Sequence, residues 1–292
     1  VGQRVVVRRL LPGETGPSGG PAMTDVLGLC TSWADGVCVV RPEHGPEVAI
    51  AVTDIVSGKP VPPRASVRQR ISARDAERHS HPLWPDVERV PLGEWELRTD
   101  PAPVGRLLKR TNSCLAIGDA GMTVPEAADR IVEFYAARGR QALAQVELGL
   151  PTEDELSMLG WEPVPGGDTH FLVSSLAMAI RVATSDDDVD LVEDGPRAHV
   201  VRRVEGQEIG SARAAVDGDW LGVHGLVVDP AHRRQGHARA LMASLLEWGA
   251  ERGATTVWLH VETDNQPALA LYGALGLRVH HSCRYLTAPP PV

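Results

Sequence analysis

In the run Leu226-Val227-Val228-Asp229-Pro230-Ala231-His232-Arg233-Arg234-Gln235-Gly236-His237-Ala238-Arg239-Ala240-Leu241-Met242, a buried strand stops at a proline, crosses a short basic loop and re-emerges as an amphipathic helix. Such a loop leaves the first amide N–H groups of the helix without intrahelical acceptors, and with the positive end of the helix dipole they suit an anion. Gly236 and the small Ala238 let a ligand approach the backbone, and the arginines add charge. The chemistry on offer is the cradling of a pyrophosphate. Downstream, Asn265, Ala268 and Tyr272 stand at offsets of three and seven and so share one helical face.

These residues resemble the GNAT acetyltransferase superfamily. Its acetyl-CoA loop follows Arg/Gln-x-x-Gly-x-Gly/Ala, which Arg233, Gly236 and Ala238 match, and its later helix follows Asn-x-x-Ala-x-x-x-Tyr, which Asn265, Ala268 and Tyr272 match. The resemblance implies a GNAT fold, α/β of the α+β kind with a mixed central sheet. It also implies an acetyl-CoA-dependent N-acetyltransferase in which an amine attacks the thioester directly. On that resemblance the strand of Leu226, Val227 and Val228 pairs with the pantetheine arm, and the N–H of Leu226 or Val227 polarises the thioester oxygen. The backbone of Arg234, Gln235, Gly236, His237, Ala238 and Arg239 holds the pyrophosphate, and Asn265 contacts the cofactor near its pantetheine arm. Tyr272 points its hydroxyl at the sulfur as proton donor, a role that suits a phenol whose ordinary pKa of about 10 keeps it protonated.

Many relatives carry a glutamate on the central strand where this chain has Gly222. His224, two residues on and on the same strand face, is a candidate base because its pKa lies close to working pH. Glu262, at the end of the adjacent strand, competes for that role, and an amine deprotonated in solvent would need neither. Gly222 also motivates an alternative, a CoA-binding regulatory or scaffold module with an inert catalytic half. The segment Arg110-Thr111-Asn112-Ser113 resembles a polar motif of actinobacterial GNAT proteins with a barrel and tandem layout, so Asn112 and Ser113 either recognise the acceptor or cap a turn. The layout also resembles mycothiol synthases, from which this chain departs in carrying a barrel and lacking the strand glutamate. The expected acceptor is a primary amine of a small molecule or a protein lysine. No metal is expected. His260 and Glu262 share a strand face but lack a third ligand, and His280 and His281, as strand neighbours, should face opposite ways.

To position these groups the chain must supply a central strand over Trp220–Val228, a long helix over Gln235–Arg252, a strand over Thr256–Glu262 and a helix over Asn265–Leu275 closed by Gly276. A hairpin around Glu205-Gly206-Gln207 precedes them and a last strand over Leu277–Leu286 follows. This is the catalytic half, residues 183–292. Residues 64–182 repeat the strand and helix order without a pyrophosphate loop and read as a degenerate GNAT-like half. Residues 1–63 show short alternating strands between Gly/Pro-rich turns and read as a small SH3-like β-barrel. Its Asp54-to-Pro63 ending gives a short turn and last strand, then an exit into a linker at Pro60, Pro62 and Pro63. With Trp33 its sole aromatic, a structural role is favoured over a peptide groove.

At 292 residues, two or three domains are expected. A net charge of -9 argues against nucleic acid as the main partner. No apolar run reaches spanning length and the basic start Val1–Leu11 is not signal-like, so no membrane partner and a cytoplasmic location are expected. Cys30, Cys38, Cys114 and Cys283 are dispersed and read as buried thiols. The basic stretch Lys59–Arg78 and the acidic stretch Asp186–Asp194 read as solvated linkers.

Overall fold

Apolar and polar residues alternate along the N-terminal segment, and there the chain forms five strands: β1 (Arg4–Thr15), β2 (Pro21–Ala34), β3 (Val37–Pro42), β4 (Val48–Ala51) and β5 (Ile55–Pro60). They pair antiparallel in the order β4-β3-β2-β1-β5 around a core of Val7, Val26, Cys30, Cys38, Val40 and Ile50. A 3-10 turn at Val52–Asp54 leads into β5, where the sequence suggests a turn and last strand. The structure, a computed structural model, describes residues 1–16, 19–42, 45–61, 67–105, 107–183 and 188–290. These form two units, Val1–Ser66 and Val67–Val292. Pro62, Pro63, Asp186 and the expected boundary at residues 63 and 64 lie outside the described residues.

The second unit holds twelve strands in one sheet. In chain order its elements are α1 (Ala73–Arg78), β6 (Glu88–Leu92), β7 (Trp95–Thr99), β8 (Cys114–Ala116), α2 (Val124–Ala136), β9 (Leu143–Glu147), α3 (Pro151–Met158), β10 (Glu162–Pro163), β11 (Thr169–Ser175) and α4 (Leu176–Val182). Then come β12 (Val189–Asp194), β13 (Arg197–Val204), β14 (Gln207–Asp217), β15 (Trp220–Val228), α5 (His237–Glu251), β16 (Thr256–Glu262), α6 (Gln266–Ala274) and β17 (Arg278–Thr287). The strand order is β12-β13-β14-β15-β16-β11-β17-β9-β8-β7-β6, with β10 against β17. Two pairs, β15 with β16 and β8 with β9, are parallel, and the rest are antiparallel. The sheet is therefore mixed.

At the expected boundary between residues 182 and 183, the two segments exchange strands. β11, before residue 183, runs beside β16 along its whole length, while β17 closes the first half by pairing with β9. Each segment thus completes the other's part of one sheet, and both lie in one compact unit.

Local chemistry explains the element ends. Thr123 accepts the Glu126 amide while the Glu126 carboxylate accepts the Thr123 N–H, a capping box that starts α2. The β13–β14 hairpin turns through Glu205 and Gly206 with φ of 51° and 80°, the left-handed pair that matches strand twist. On one sheet face α5 buries Leu241, Met242, Leu245, Leu246 and Trp248, each contributing about 1.5–3 kcal/mol.

The acidic stretch is not simply linker. Residues Val189–Asp194 form the edge strand β12, whose Val189 and Leu191 pack on the α5 core. Its carboxylates face basic neighbours: Asp190 pairs with Arg203, Glu193 with Arg252 at 2.5 Å, and Asp194 with Arg197. One apolar face and charged rims suit an edge strand. Nor is the basic stretch all solvated. Ser72 caps α1, Arg68 Nε donates to Thr256 Oγ1 at 2.8 Å, and Glu77 is fully buried.

Candidate active site

The central feature is a fork in the sheet. β15 and β16 pair only from Trp220 with Thr256 to Val223 with Leu259, then part, although β15 continues to Val228 and β16 to Glu262. Two local devices open it. Gly225 sits at φ 64°, and the register against β14 shifts so that Arg213 faces His224 while Ser211 faces Val227. This is a β-bulge, which re-aims side chains. Before it Leu221 and Val223 pack toward α5; after it Leu226 and Val228 do, and Val227 is exposed. The edge of β15 that faces the fork thus offers backbone groups beyond its last β16 partner.

At the end of that edge lies the basic loop. Asp229 Oδ1 accepts the Ala231 N–H at 2.8 Å and fixes a 3-10 turn at Pro230–His232. Arg233 Nε donates to the Val228 carbonyl at 3.2 Å. Arg234 and Gly236 adopt φ of 66° and 91°, and the chain enters α5 with no side-chain cap on its first amides. A Cβ built on Gly236 meets nothing within 4 Å, so the space over the helix start is open. Uncapped amides, a helix dipole, arginines and open space fit a diphosphate.

α6 begins at Asn265, whose Oδ1 accepts the Ala268 N–H at 3.2 Å. That oxygen is taken up in capping. Tyr272 is 7% exposed in the α5 core, and burial pushes its hydroxyl up to about 12. Ala268 packs against the same core, so the expected face is formed.

The face opposite α5 carries Trp220, Gly222 and His224. The fully buried Trp258 lies directly across from Gly222, and a Cβ on Gly222 would stand 2.6 Å from Trp258 Cζ2. The indole fills the space that a side chain at position 222 would need. This reason for the glycine was not read from the sequence, although a glycine inside a strand is itself a signal of close approach. The His224 ring lies 5.1 Å from that of Trp84. Burial, then Arg110, Arg213 and His199, lower its pKa to about 4, well below the ordinary imidazole value on which its choice as base rests. Glu262 is exposed at the tip of β16, on the face of Trp258 and His260.

Asn112 and Ser113 are buried and spent on the fold. Asn112 Oδ1 accepts the Asp100 N–H at 3.1 Å and an Arg140 N–H, while its Nδ2 donates to the Leu108 carbonyl at 3.1 Å. Ser113 Oγ accepts from Arg98 Nη2 at 3.0 Å. These hydrogen bonds fit the turn-capping reading of Asn112 and tie Ser113 to Arg98. Arg110 does lie nearby, its guanidinium carbon 5.7 Å from the Trp84 ring.

A buried network occupies the middle of the sheet. Glu77 Oε1 accepts from His260 Nε2 at 2.8 Å, His281 Nε2 at 3.2 Å and Gln145 Nε2 at 3.1 Å, and Arg98 Nη2 donates to Gln145 Oε1 at 2.8 Å. These histidines hold the Glu77 carboxyl well below its usual range against the opposing effect of burial. His280 and His281 do not face opposite ways. β17 bulges at His280, because Phe171 pairs with His281 and Leu172 with Val279, and the two Nδ1 atoms lie 2.8 Å apart. The expectation fails because a bulge resets strand alternation. Ligand atoms of Glu77, His281 and Cys283 fall within 4.8 Å of one another. Burial holds the Cys283 thiol well above its usual pKa and so protonated, and the Glu77 oxygen nearest the histidines already accepts their hydrogens. The donor set suits a hydrogen-bonded core better than a metal.

Residues 173–277 match the Acetyltransferase (GNAT) family, and residues 1–59 match the Rv0428c N-terminal Sm-like domain, a small β unit where an SH3-like barrel was expected. The chain is 30% identical to the probable histone acetyltransferase Rv0428c of Mycobacterium tuberculosis, over 99% of this chain and 95% of that protein. It is 36% identical to a mycothiol acetyltransferase of Kineococcus radiotolerans, over 37% of this chain and 38% of that protein. Among solved structures, a GCN5-related N-acetyltransferase from Kribbella flavida superposes with a TM-score of 0.59 at 19% identity, covering 76% of this chain and 96% of its own.

Proposed function

Because this chain belongs to the GNAT acetyltransferase family, we propose that its C-terminal half takes acetyl-CoA into the fork between β15 and β16 and passes the acetyl group to a primary amine. The observation that carries this reading is the fork opening onto an uncapped helix start: the edge of β15 loses its partner after Val223 and leads to Gly236, over which the space is open. Extended backbone would pair with the pantetheine arm, and the amides of Arg234 to Ala238 would take the pyrophosphate, while the expected Arg239 N–H is already given to the Gly236 carbonyl at 2.9 Å. The N–H of Leu226 or Val227 would polarise the thioester carbonyl.

The amine nitrogen forms a bond to the acetyl carbon as the carbon–sulfur bond breaks. The amine gives up a proton and the departing thiolate takes one. Tyr272 is proposed as donor to the sulfur, its raised pKa keeping the hydroxyl protonated. His224 is proposed as acceptor of the amine proton, neutral at working pH, with Glu262 as the competing base. The packing of Trp258 on Gly222 supports reading that glycine as a packing residue, and His224 would keep a titratable group on the same face. No helix among the described residues is long and apolar enough to cross a membrane, and we propose a cytoplasmic location.

Calorimetry with Gly236→Val tests the site. A β-branched side chain would fill the space needed by the ligand, so a folded variant should lose most of its acetyl-CoA affinity. Unchanged binding would remove the basis for the cofactor assignment.

A further inference from the structure

A row of basic side chains crosses the face of the sheet on which the acceptor would arrive. His199 pairs with Arg213 across β13 and β14, and Arg213 pairs with His224 across β14 and β15. Directly opposed residues share a face and stand about 5 Å apart at Cβ. The bulge draws the Arg213 guanidinium to the fork, where its Nη1 lies 4.0 Å from a Cβ built on Gly225. From the other half of the chain Arg110 adds a second guanidinium over Trp84, whose ring neighbours His224.

Both guanidinium groups are available. Among the described residues neither Arg110 nor Arg213 forms an ion pair, Glu208 acts on the neighbouring His199 instead, and Arg110 Nε is buried without a hydrogen-bond partner. Arg110 stands on a fixed base, the 3-10 turn Lys109–Thr111 that Asn112 ties down. We propose that the acceptor carries, beside its amine, an oxyanion such as a carboxylate or phosphate, which Arg110 and Arg213 hold on the fork. This rests on the acetyltransferase reading above and names the substrate class of that site.

The electrostatics agree. Arg110 and Arg213 both push the His224 pKa down, and no carboxylate opposes them. A lysine in a basic tail would bring further cations onto this face, whereas a planar guanidinium fork suits a carboxylate or phosphate through two parallel hydrogen bonds. The chain as a whole is acidic, with a net charge of -9, so the two guanidinium groups depart from their surroundings.

The test titrates CoA-saturated protein by calorimetry with paired amines of graded length. Each aminoalkyl carboxylate or phosphate is set against its amide or methyl ether, and tetralysine is the basic probe. A charge-assisted hydrogen bond of about 1.5–3 kcal/mol predicts that the best anionic twin binds about 10-fold to 100-fold more tightly. In Arg110→Gln and in Arg213→Gln that ratio should fall toward one while acetyl-CoA still binds. Equal binding of the twins, tighter binding of tetralysine, or no binding by any anionic amine overturns the proposal. Loss of acetyl-CoA binding in the unaltered protein would instead overturn the cofactor site.

Discussion

Acidification separates His224 from an ordinary imidazole. Burial and two guanidinium groups lower its pKa to about 4, and only neutral imidazole accepts a proton. At about pH 5.5 such a group is still about 97% neutral, whereas an imidazole with the ordinary pKa of about 6.5 would be about 9% neutral, roughly a tenfold difference in active base. The acid limb of kcat/KM that belongs to the enzyme should therefore lie near pH 4. It is read by CoA release after correction for the acceptor amine's own ionisation. His224→Gln should lower kcat/KM by about 100-fold and remove the limb, while Glu262→Gln should leave it. Stability follows the same sign. The folded pKa lies below the unfolded one, so the contribution of His224 is complete above about pH 6.5 and is lost as the pH falls toward 4, on the order of 3 kcal/mol over that window. A limb near pH 6.5, or identical profiles in the unaltered protein and His224→Gln, would refute the assignment.

Tyr272→Phe should lower kcat with little change in acetyl-CoA affinity, because it keeps the ring and removes the hydroxyl; unaffected turnover would assign the thiolate's proton to another group. Gly222→Ala places a Cβ 2.6 Å from the buried Trp258 ring. It should destabilise by about 1–3 kcal/mol, seen as a lower midpoint in urea unfolding, and an unchanged midpoint would contradict the packing. Glu77→Ala removes the acceptor shared by His260, His281 and Gln145. It should cost about 3–5 kcal/mol, or roughly 6–20 °C in Tm for a unit of this size, and an unaffected Tm would dissolve the network.

The parts of the site that local chemistry encodes were legible in the sequence. A strand stopped at Pro230, a basic loop, Gly236 and an apolar helix periodicity stand in one continuous run, and they fold as β15, the loop and α5. The offsets of Asn265, Ala268 and Tyr272 likewise survive in α6. What the sequence hides is set by partners far along the chain. Trp258 over Gly222 depends on a parallel pairing across α5, and the exchange of β11 and β17 joins residues that no local pattern connects. Glu77 sits in a charged stretch that reads as surface, and its burial needs histidines from β16 and β17. The bulges at Gly225 and His280 each add one residue, and a rule of strict alternation misplaces every side chain beyond them. Residues Val189–Asp194 mislead in the opposite sense, since a charged edge strand looks like a linker when only its outer face is counted.

The most direct measurement follows acetyl-CoA incubated with the protein and a pool of amines, peptides and basic proteins, monitoring free CoA thiol and acceptor mass together. Amine-dependent CoA release is expected, with a matching gain of one acetyl group on an acceptor and loss of both signals in a folded Gly236→Val variant. Acetyl-CoA that binds but is never turned over with any acceptor, or turnover that persists undiminished in Gly236→Val, would contradict the acetyltransferase reading.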